Sequence, residues 1–187
     1  MDDRDHDDEP RDDDEFDLLD TFGLGLTPLP SELHSSYSGS PFEKCVDCER
    51  PLQDPPQPHL IQKVRRDGEV IFEFALCMTC AERNDSSMSE ESRENIEAWF
   101  AENTMAGVGR DRCNICGGER DQDEHVVVAM AVGSDIVGRG HLFCSACTDN
   151  LEELLSEATR RQMEDFTQRN FPGIPEHFGL PAGVLTI

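Results

Sequence analysis

Eight cysteines arranged as four C-x-x-C pairs constrain this chain more than any other feature of its sequence. A C-x-x-C turn points two thiolates to the same side, and two such turns can complete a tetrahedral four-cysteine site suited to zinc. Buried free cysteines would not need this spacing, so the pattern predicts metal binding. The pairs are Cys45 and Cys48, Cys77 and Cys80, Cys113 and Cys116, and Cys144 and Cys147.

The four pairs form two matched couples, with 28 and 27 residues between the pairs of each couple. A shift of 67 residues places the second cysteine pair of the first unit, and the segment after it, on their counterparts in the second unit, which indicates a duplication. The shift places Cys77, Cys80, Ser89, Arg93 and Trp99 on Cys144, Cys147, Ser156, Arg160 and Phe166. Two zinc ions per chain are therefore predicted, each held within one copy. A cross-braced site built from the first pair of each copy is allowed by ligand count, but the repeat disfavours it.

Each unit contains a predicted β-hairpin followed by a helix. In HLIQKVRRDGEVIFEFAL, branched and aromatic residues alternate on both sides of an Asp-Gly step, which supplies the turn at Arg66-Asp67-Gly68. In HVVVAMAVGSDIVGRGHLF the turn is predicted at Gly133-Ser134-Asp135. After the second cysteine pair of each unit, apolar residues recur at the spacing of a helix. Capping-box patterns place the helix starts at Ser87 with Glu90 and at Asp149 with Glu152.

The order of knuckle, hairpin and helix-borne pair resembles the treble-clef, or zinc-ribbon-like, family of zinc fingers. The resemblance rests on CVDCER and CMTCAER in the first unit and on CNICGG and CSACTDNLEELL in the second. The stretch HLFCSACTDNLEELL is also similar to the helix start of the zinc module on ClpX-type unfoldases. The treble-clef resemblance implies a structural metal and an interaction surface, whereas the similarity to the unfoldase module implies the fold only, because this sequence has a longer hairpin and no ATPase domain. The first knuckle departs from the family pattern, because Glu49 stands where Gly117 stands in the second.

Other chemistries fit the pattern less well. A rubredoxin-like iron site resembles two Gly-bearing knuckles, whereas CMTCA and CSACT have no Gly after the second Cys. A thioredoxin-like redox site requires one C-x-x-C at a helix start within an α/β sheet, and this sequence predicts too few strands for such a sheet. Four thiolates leave no open position for a hydrolytic zinc, so the chain is expected not to be an enzyme. His141 is expected to be a strand residue, and Glu124 with His125 to lie at the surface.

The chain carries 40 acidic and 16 basic residues, a formal charge of −24. This charge repels a phosphate backbone, so nucleic-acid binding is disfavoured. If it occurred, the phosphate contacts would come from Lys63, Arg65 and Arg66 or from Arg160 and Arg161. Pervasive acidity suits a high-salt cytoplasm as well as a basic protein partner. The sequence shows neither a secretory signal nor an apolar run long enough to span a membrane, which predicts a soluble, cytoplasmic protein.

The predicted fold is α+β, with two small tandem zinc-binding modules after a disordered acidic N-terminal arm. The arm covers residues 1–43 and contains FDLLDTF. A solvated tail with incidental hydrophobic residues is the favoured interpretation of this stretch, and a short helix that folds onto a partner's groove is the alternative. The modules cover residues 44–104 and 105–170, and residues 171–187 form an apolar tail rich in Pro and Gly. Such a tail either packs across the second module or binds another protein. The predicted function is a non-enzymatic adaptor or regulatory protein. The alternatives are a nucleic-acid-binding regulator and, less favoured, a thiol and zinc redox sensor.

Overall fold

A computed structural model describes residues 25–105 and 107–172 of the chain. This part contains both strands and helices, which confirms the predicted α+β class, and one short 3-10 turn at Ser31–Leu33. The strands are β1 (Leu26–Pro28), β2 (Pro58–Arg66), β3 (Glu69–Cys77), β4 (His125–Val132) and β5 (Asp135–Cys144). The helices are α1 (Met78–Ser87), α2 (Glu90–Asn103), α3 (Ser145–Glu153) and α4 (Glu157–Asn170). Among the described residues, no helix is both long and apolar enough to cross a membrane.

The two repeat units share a single five-stranded sheet with the order β1-β5-β4-β2-β3. Hairpins β2-β3 and β4-β5 are joined by antiparallel pairing of β2 with β4, from Pro58 opposite Val132 to Arg65 opposite His125. Because the units are copies of each other, this pairing relates them by an approximate twofold axis through the middle of the β2-β4 ladder. The units are therefore two halves of one sheet.

Both predicted hairpin turns are confirmed. Asp67 and Gly68 connect β2 to β3 with φ values of 51° and 77°, the left-handed conformation that a two-residue type I′ turn requires. Gly133 and Ser134 connect β4 to β5, and Gly133 has a φ of 55°. The local turn chemistry thus sets the register of each hairpin.

The predicted helix starts are wrong, because each unit contains two helices with a break between them. Helices α1 and α3 begin directly after Cys77 and Cys144, so Asp149 lies inside α3 and does not cap it. The second helices start after Ser89 and Ser156, whose side chains accept hydrogen bonds from the backbone N–H groups three residues further on. The capping-box patterns lie close to these breaks but miss the serines that cap the helices.

The two capping serines meet at the approximate twofold axis. The Ser89 and Ser156 Oγ atoms are 2.8 Å apart, although the residues are 67 positions apart in the chain. The Ser89 backbone N–H donates to Oγ1 of Thr159 (3.1 Å), and the Ser156 N–H donates to Oγ of Ser92 (2.8 Å). Each long helix is therefore capped partly by the other, with its polar start hydrogen-bonded in the interior.

Each long helix packs on the hairpin of the other unit. Phe100 of α2 contacts Phe143 of β5, with ring centroids 6.2 Å apart. Phe166 of α4 contacts Phe74 of β3, with centroids 5.9 Å apart. The buried apolar residues form one cluster that includes both units. The hydrophobic core thus runs across the boundary predicted between residues 104 and 105.

The prediction of disorder through residue 43 is wrong for residues 25–43. Strand β1 pairs with β5, Leu33 is 1% exposed, and the backbone N–H of Ser36 donates to the Glu73 carboxylate at 2.7 Å. This segment is ordered because its apolar side chains cover the sheet face opposite the helices, which buries apolar surface that offsets chain entropy. Residues 1–24, including FDLLDTF, and residues 173–187 lie outside the described part of the chain.

Candidate metal centres

The eight cysteines form two clusters, one in each repeat unit. Cys45, Cys48, Cys77 and Cys80 make the first cluster, and Cys113, Cys116, Cys144 and Cys147 make the second. Within each cluster all the sulfur atoms lie within 4.8 Å of one another. The pairing of cysteines within a unit, and not the cross-braced pairing, is therefore the observed arrangement. Either cluster could hold a metal ion.

The sulfur spacing matches tetrahedral coordination. Sγ of Cys48 lies 3.7 Å from Sγ of Cys77, and Sγ of Cys116 lies 3.8 Å from Sγ of Cys144. A tetrahedron of thiolates about 2.3 Å from a central ion has edges of about 3.8 Å. A direct disulfide would need a separation of about 2.05 Å. The thiols are thus placed as ligands of one ion and not as disulfide partners.

Each cluster joins a knuckle to the corner between a strand and a helix. The knuckle pair lies on a tight turn, in which the N–H of Cys45 donates to the Arg50 carbonyl at 2.9 Å. The knuckle is docked onto the hairpin by the N–H of Val46, which donates to the Ala75 carbonyl at 2.9 Å. The other pair lies at the end of β3, with Cys77 as the last strand residue and Cys80 in the first turn of α1. The second unit repeats this arrangement.

Glu49 adopts the conformation that glycine adopts in the second knuckle. Its φ is 59°, and the φ of Gly117 at the matching position is 69°. A non-glycine residue pays a steric cost in this left-handed region, because its Cβ approaches the following carbonyl. The first knuckle therefore has the same geometry as the second despite its departure from the family pattern.

Backbone N–H groups stabilise negative charge on the sulfurs. The N–H of Cys77 lies 3.4 Å from Sγ of Cys45, and the N–H of Cys144 lies 3.5 Å from Sγ of Cys113. Burial acts to raise the pKa of Cys113, but N–H groups of Cys144, Cys116 and Ile115 outweigh it and lower that pKa to about 7. One sulfur of the second cluster is thus readily ionised.

The helix-borne cysteines behave in the opposite way. Burial and the neighbouring thiols raise the pKa of Cys80 and of Cys147 well above the ordinary value for a thiol. Four thiolates in one small cluster repel each other unless a cation lies among them. A divalent ion would supply this positive charge, so metal binding and full deprotonation of the cluster would occur together.

Within the described part of the chain, an arginine donates a hydrogen bond to a cysteine sulfur in the first cluster and not in the second. Arg83 donates a hydrogen bond to Sγ of Cys80 at 3.3 Å and forms an ion pair with Asp47. Asp47 also accepts from Arg169 of α4 at 3.0 Å. Asn150 stands in the second unit where Arg83 stands in the first. This network could not be predicted from the sequence, because its members lie in three distant segments and are not repeated.

Two buried histidines stand beside the strand ends that carry metal ligands. His59 is opposite Cys77 in the β2-β3 ladder and is 0% exposed, and His125 is opposite Cys144 and is 3% exposed. The expectation that His125 lies at the surface is therefore wrong. Neither histidine belongs to a four-cysteine cluster. Burial lowers the pKa of both rings, which favours their neutral form.

The basic residues named as candidate phosphate contacts have partners within the chain. The Lys63 ammonium is 3.0 Å from the Glu73 carboxylate, and Arg66 lies 3.3 Å from Glu124. Arg65 donates to the Gly68 carbonyl at 2.5 Å. On the helices, Arg160 donates to the Glu152 carbonyl at 2.9 Å, and Arg161 forms an ion pair with Glu157.

Comparisons of this chain with protein-family models, with curated proteins and with solved structures found no match. The structure itself defines an α+β chain whose two halves share one sheet and each carry a four-cysteine cluster that could hold a metal ion.

Proposed function

We propose that this protein is a zinc-binding, non-enzymatic adaptor or regulatory protein that mediates protein–protein interaction. The observation that carries the proposal is the pair of four-thiol clusters, each of which joins a knuckle to a strand-helix corner. Four sulfur ligands complete the coordination of a tetrahedral ion and leave no position for a substrate or a reactive water. The proposed role of each ion is therefore structural.

The proposed metal is zinc, and each half is proposed to be a treble-clef finger. The order of knuckle, hairpin and helix supports this assignment, since the second cysteine pair of each cluster leads into a helix. Zinc has no geometric preference from its d-electrons, so it accepts tetrahedral coordination by four thiolates. Its binding can contribute on the order of 10 kcal/mol to folding. The ions would thus add to the stability that the shared hydrophobic core provides.

Metal analysis of the purified full-length protein tests the assignment. We expect two zinc ions per chain, released when the protein is acidified, because protons compete with the ion for the thiolates. A chain that contains iron, or one that is folded without metal and joined by disulfides, would overturn it.

The competing class is a nucleic-acid-binding regulator. Its candidate phosphate contacts, Lys63 and Arg65 among them, already have partners within the chain, so we rank it second. A titration of mixed DNA and RNA at several salt concentrations separates the two classes. Saturable binding that weakens steeply with salt around physiological ionic strength would reject the adaptor proposal. A redox sensor would instead release zinc on mild oxidation and recover it on reduction.

A further inference from the structure

An apolar groove lies between α1 and α2 of the first unit and β5 of the second. The groove has a volume of about 570 Å³, within the range of sites that bind small ligands or peptide side chains. Its lining includes Met78, Ala81, Ile96, Phe100, His141 and Phe143. We call it the α1-α2 groove.

The matching place in the other half is filled by the chain itself. Phe171, which follows α4, packs on Phe72 and Phe74 of β3, with ring centroids 4.2 Å and 5.9 Å away. In the repeat, Thr104 corresponds to Phe171 and His141 corresponds to Phe74. Thr104 lines the α1-α2 groove and is too short to fill it. The fold thus provides two related grooves but only one aromatic side chain, among the described residues, at this position.

The charges around the groove restrict what can occupy it. Glu82, Asp85 and Glu97 line it, and Arg93 donates to the backbone carbonyl of Asp85 at 3.0 Å. An acidic segment would be repelled by these carboxylates. An occupant should therefore be apolar and carry little negative charge.

The chain has one such segment outside its described part. Residues 173–187 contain one acid, Glu176, and no Lys or Arg, and their apolar side chains include a single aromatic, Phe178. Residues 1–24 contain twelve acids and are a poor match for the acidic rim.

The segment is long enough to reach the groove. Phe171 lies on β3, and β5 is three strand spacings away across the sheet, about 14 Å. Phe178 follows Phe171 by seven residues, which span up to about 23 Å when extended. We infer that residues 173–187 dock intramolecularly in the α1-α2 groove, with Phe178 taking the place that Phe171 takes in the other half.

A peptide competition experiment with full-length protein tests this inference. The probe is a synthetic peptide of residues 173–187, titrated onto the wild type and two variants and followed by NMR at the groove residues. Phe178→Ala frees the groove, so this variant should bind the peptide at least about tenfold more tightly than the wild type does. Thr104→Phe fills the groove as Phe171 fills its counterpart, so this variant should not bind the peptide.

Controls separate docking in the groove from other effects. Thr104→Ser should bind the peptide as the wild type does, and a peptide carrying Phe178→Ala should bind at least about tenfold more weakly to the freed groove. Equal binding to all variants, or no binding to the Phe178→Ala protein, would overturn the inference. A concentration-dependent dimer that disappears in Phe178→Ala would also overturn it, because the tail would then dock on a second copy. None of these measurements involves a partner protein or a metal assay, so the result is independent of the proposed function.

Discussion

Glu49 stores a small amount of backbone strain in the first knuckle, since its φ of 59° is unfavourable for a residue with a Cβ. We predict that Glu49→Gly raises the free energy of unfolding by about 1 kcal/mol, through relief of that strain. Urea unfolding at a fixed free zinc concentration measures the change. Glu49→Gln keeps the Cβ and removes the charge, so it is the matched control. An equal gain in Glu49→Gln would show that charge and not backbone conformation is the cause.

Arg83 makes the two clusters chemically different, because its guanidinium donates to Sγ of Cys80 in the first cluster alone among the described residues. A cation beside a thiolate cluster of net negative charge stabilises the metal-bound state. We predict that Arg83→Gln weakens zinc binding at the first cluster by up to about tenfold, with the effect limited by solvent exposure of the side chain. Transfer of zinc to a chromogenic chelator should then show one faster phase and one unchanged phase.

The control for this experiment is Arg161→Gln, which removes an exposed ion pair within α4. That variant should release both ions at the wild-type rates. If Arg83→Gln also leaves both phases unchanged, the hydrogen bond to Cys80 does not contribute to metal affinity.

At the level of elements, the starts of α2 and α4 stabilise each other through Ser89 and Ser156. Each single change to Ala should lower the free energy of unfolding by about 1–2 kcal/mol, because a helix loses its N-cap. Since the two hydroxyls share a hydrogen bond, the double variant should lose less than the sum of the single losses. A double-mutant cycle in urea measures the coupling. Ser86→Ala, at an exposed position in α1, is the control, and strict additivity of Ser89→Ala and Ser156→Ala would contradict the contact.

The segment before the first knuckle acts as a structural cover for the sheet. Leu33 is 1% exposed, whereas Tyr37, four residues later, is 99% exposed. We predict that Leu33→Ala lowers the free energy of unfolding by about 2–5 kcal/mol, as for a buried leucine, and that Tyr37→Ala changes it by less than about 0.5 kcal/mol. Thermal and urea unfolding both report the difference. Similar small effects of the two changes would mean that this segment does not cover the sheet in solution.

At the scale of the whole molecule, the two halves should lose structure together. Strands β2 and β4 pair along their lengths, and each long helix packs on the opposite hairpin. We predict that Cys116→Ser, which removes a ligand of the second cluster, speeds amide hydrogen exchange in β2 and β3 as well as in β4 and β5. Exchange followed by NMR or mass spectrometry measures this. Faster exchange confined to the second half would show that the halves are energetically independent.

The cysteine clusters, both hairpin turns and the duplication could be predicted because each depends on short-range chemistry. A C-x-x-C pair places two thiols together whatever the rest of the chain does, and an Asp-Gly step favours a tight turn wherever it occurs. The nearly equal spacing of the pairs in the two copies, 28 and 27 residues, then assigned each set of four ligands. The helix starts were missed, since several nearby serines and acids offer caps and tertiary packing selects Ser89 and Ser156.

The amino-acid sequence by itself therefore determined which side chains could hold metal and which residues form each hairpin. Only the tertiary structure decided that the two hairpins merge into one sheet and that each long helix packs on the hairpin of the other unit. It also decided that residues 25–43 cover the sheet face opposite the helices. These features depend on contacts between residues far apart in the chain, such as Phe166 with Phe74 and Glu73 with Ser36. Local patterns carry no information about such pairs, because the apolar surface they bury and the hydrogen bonds they make form only when the whole molecule assembles.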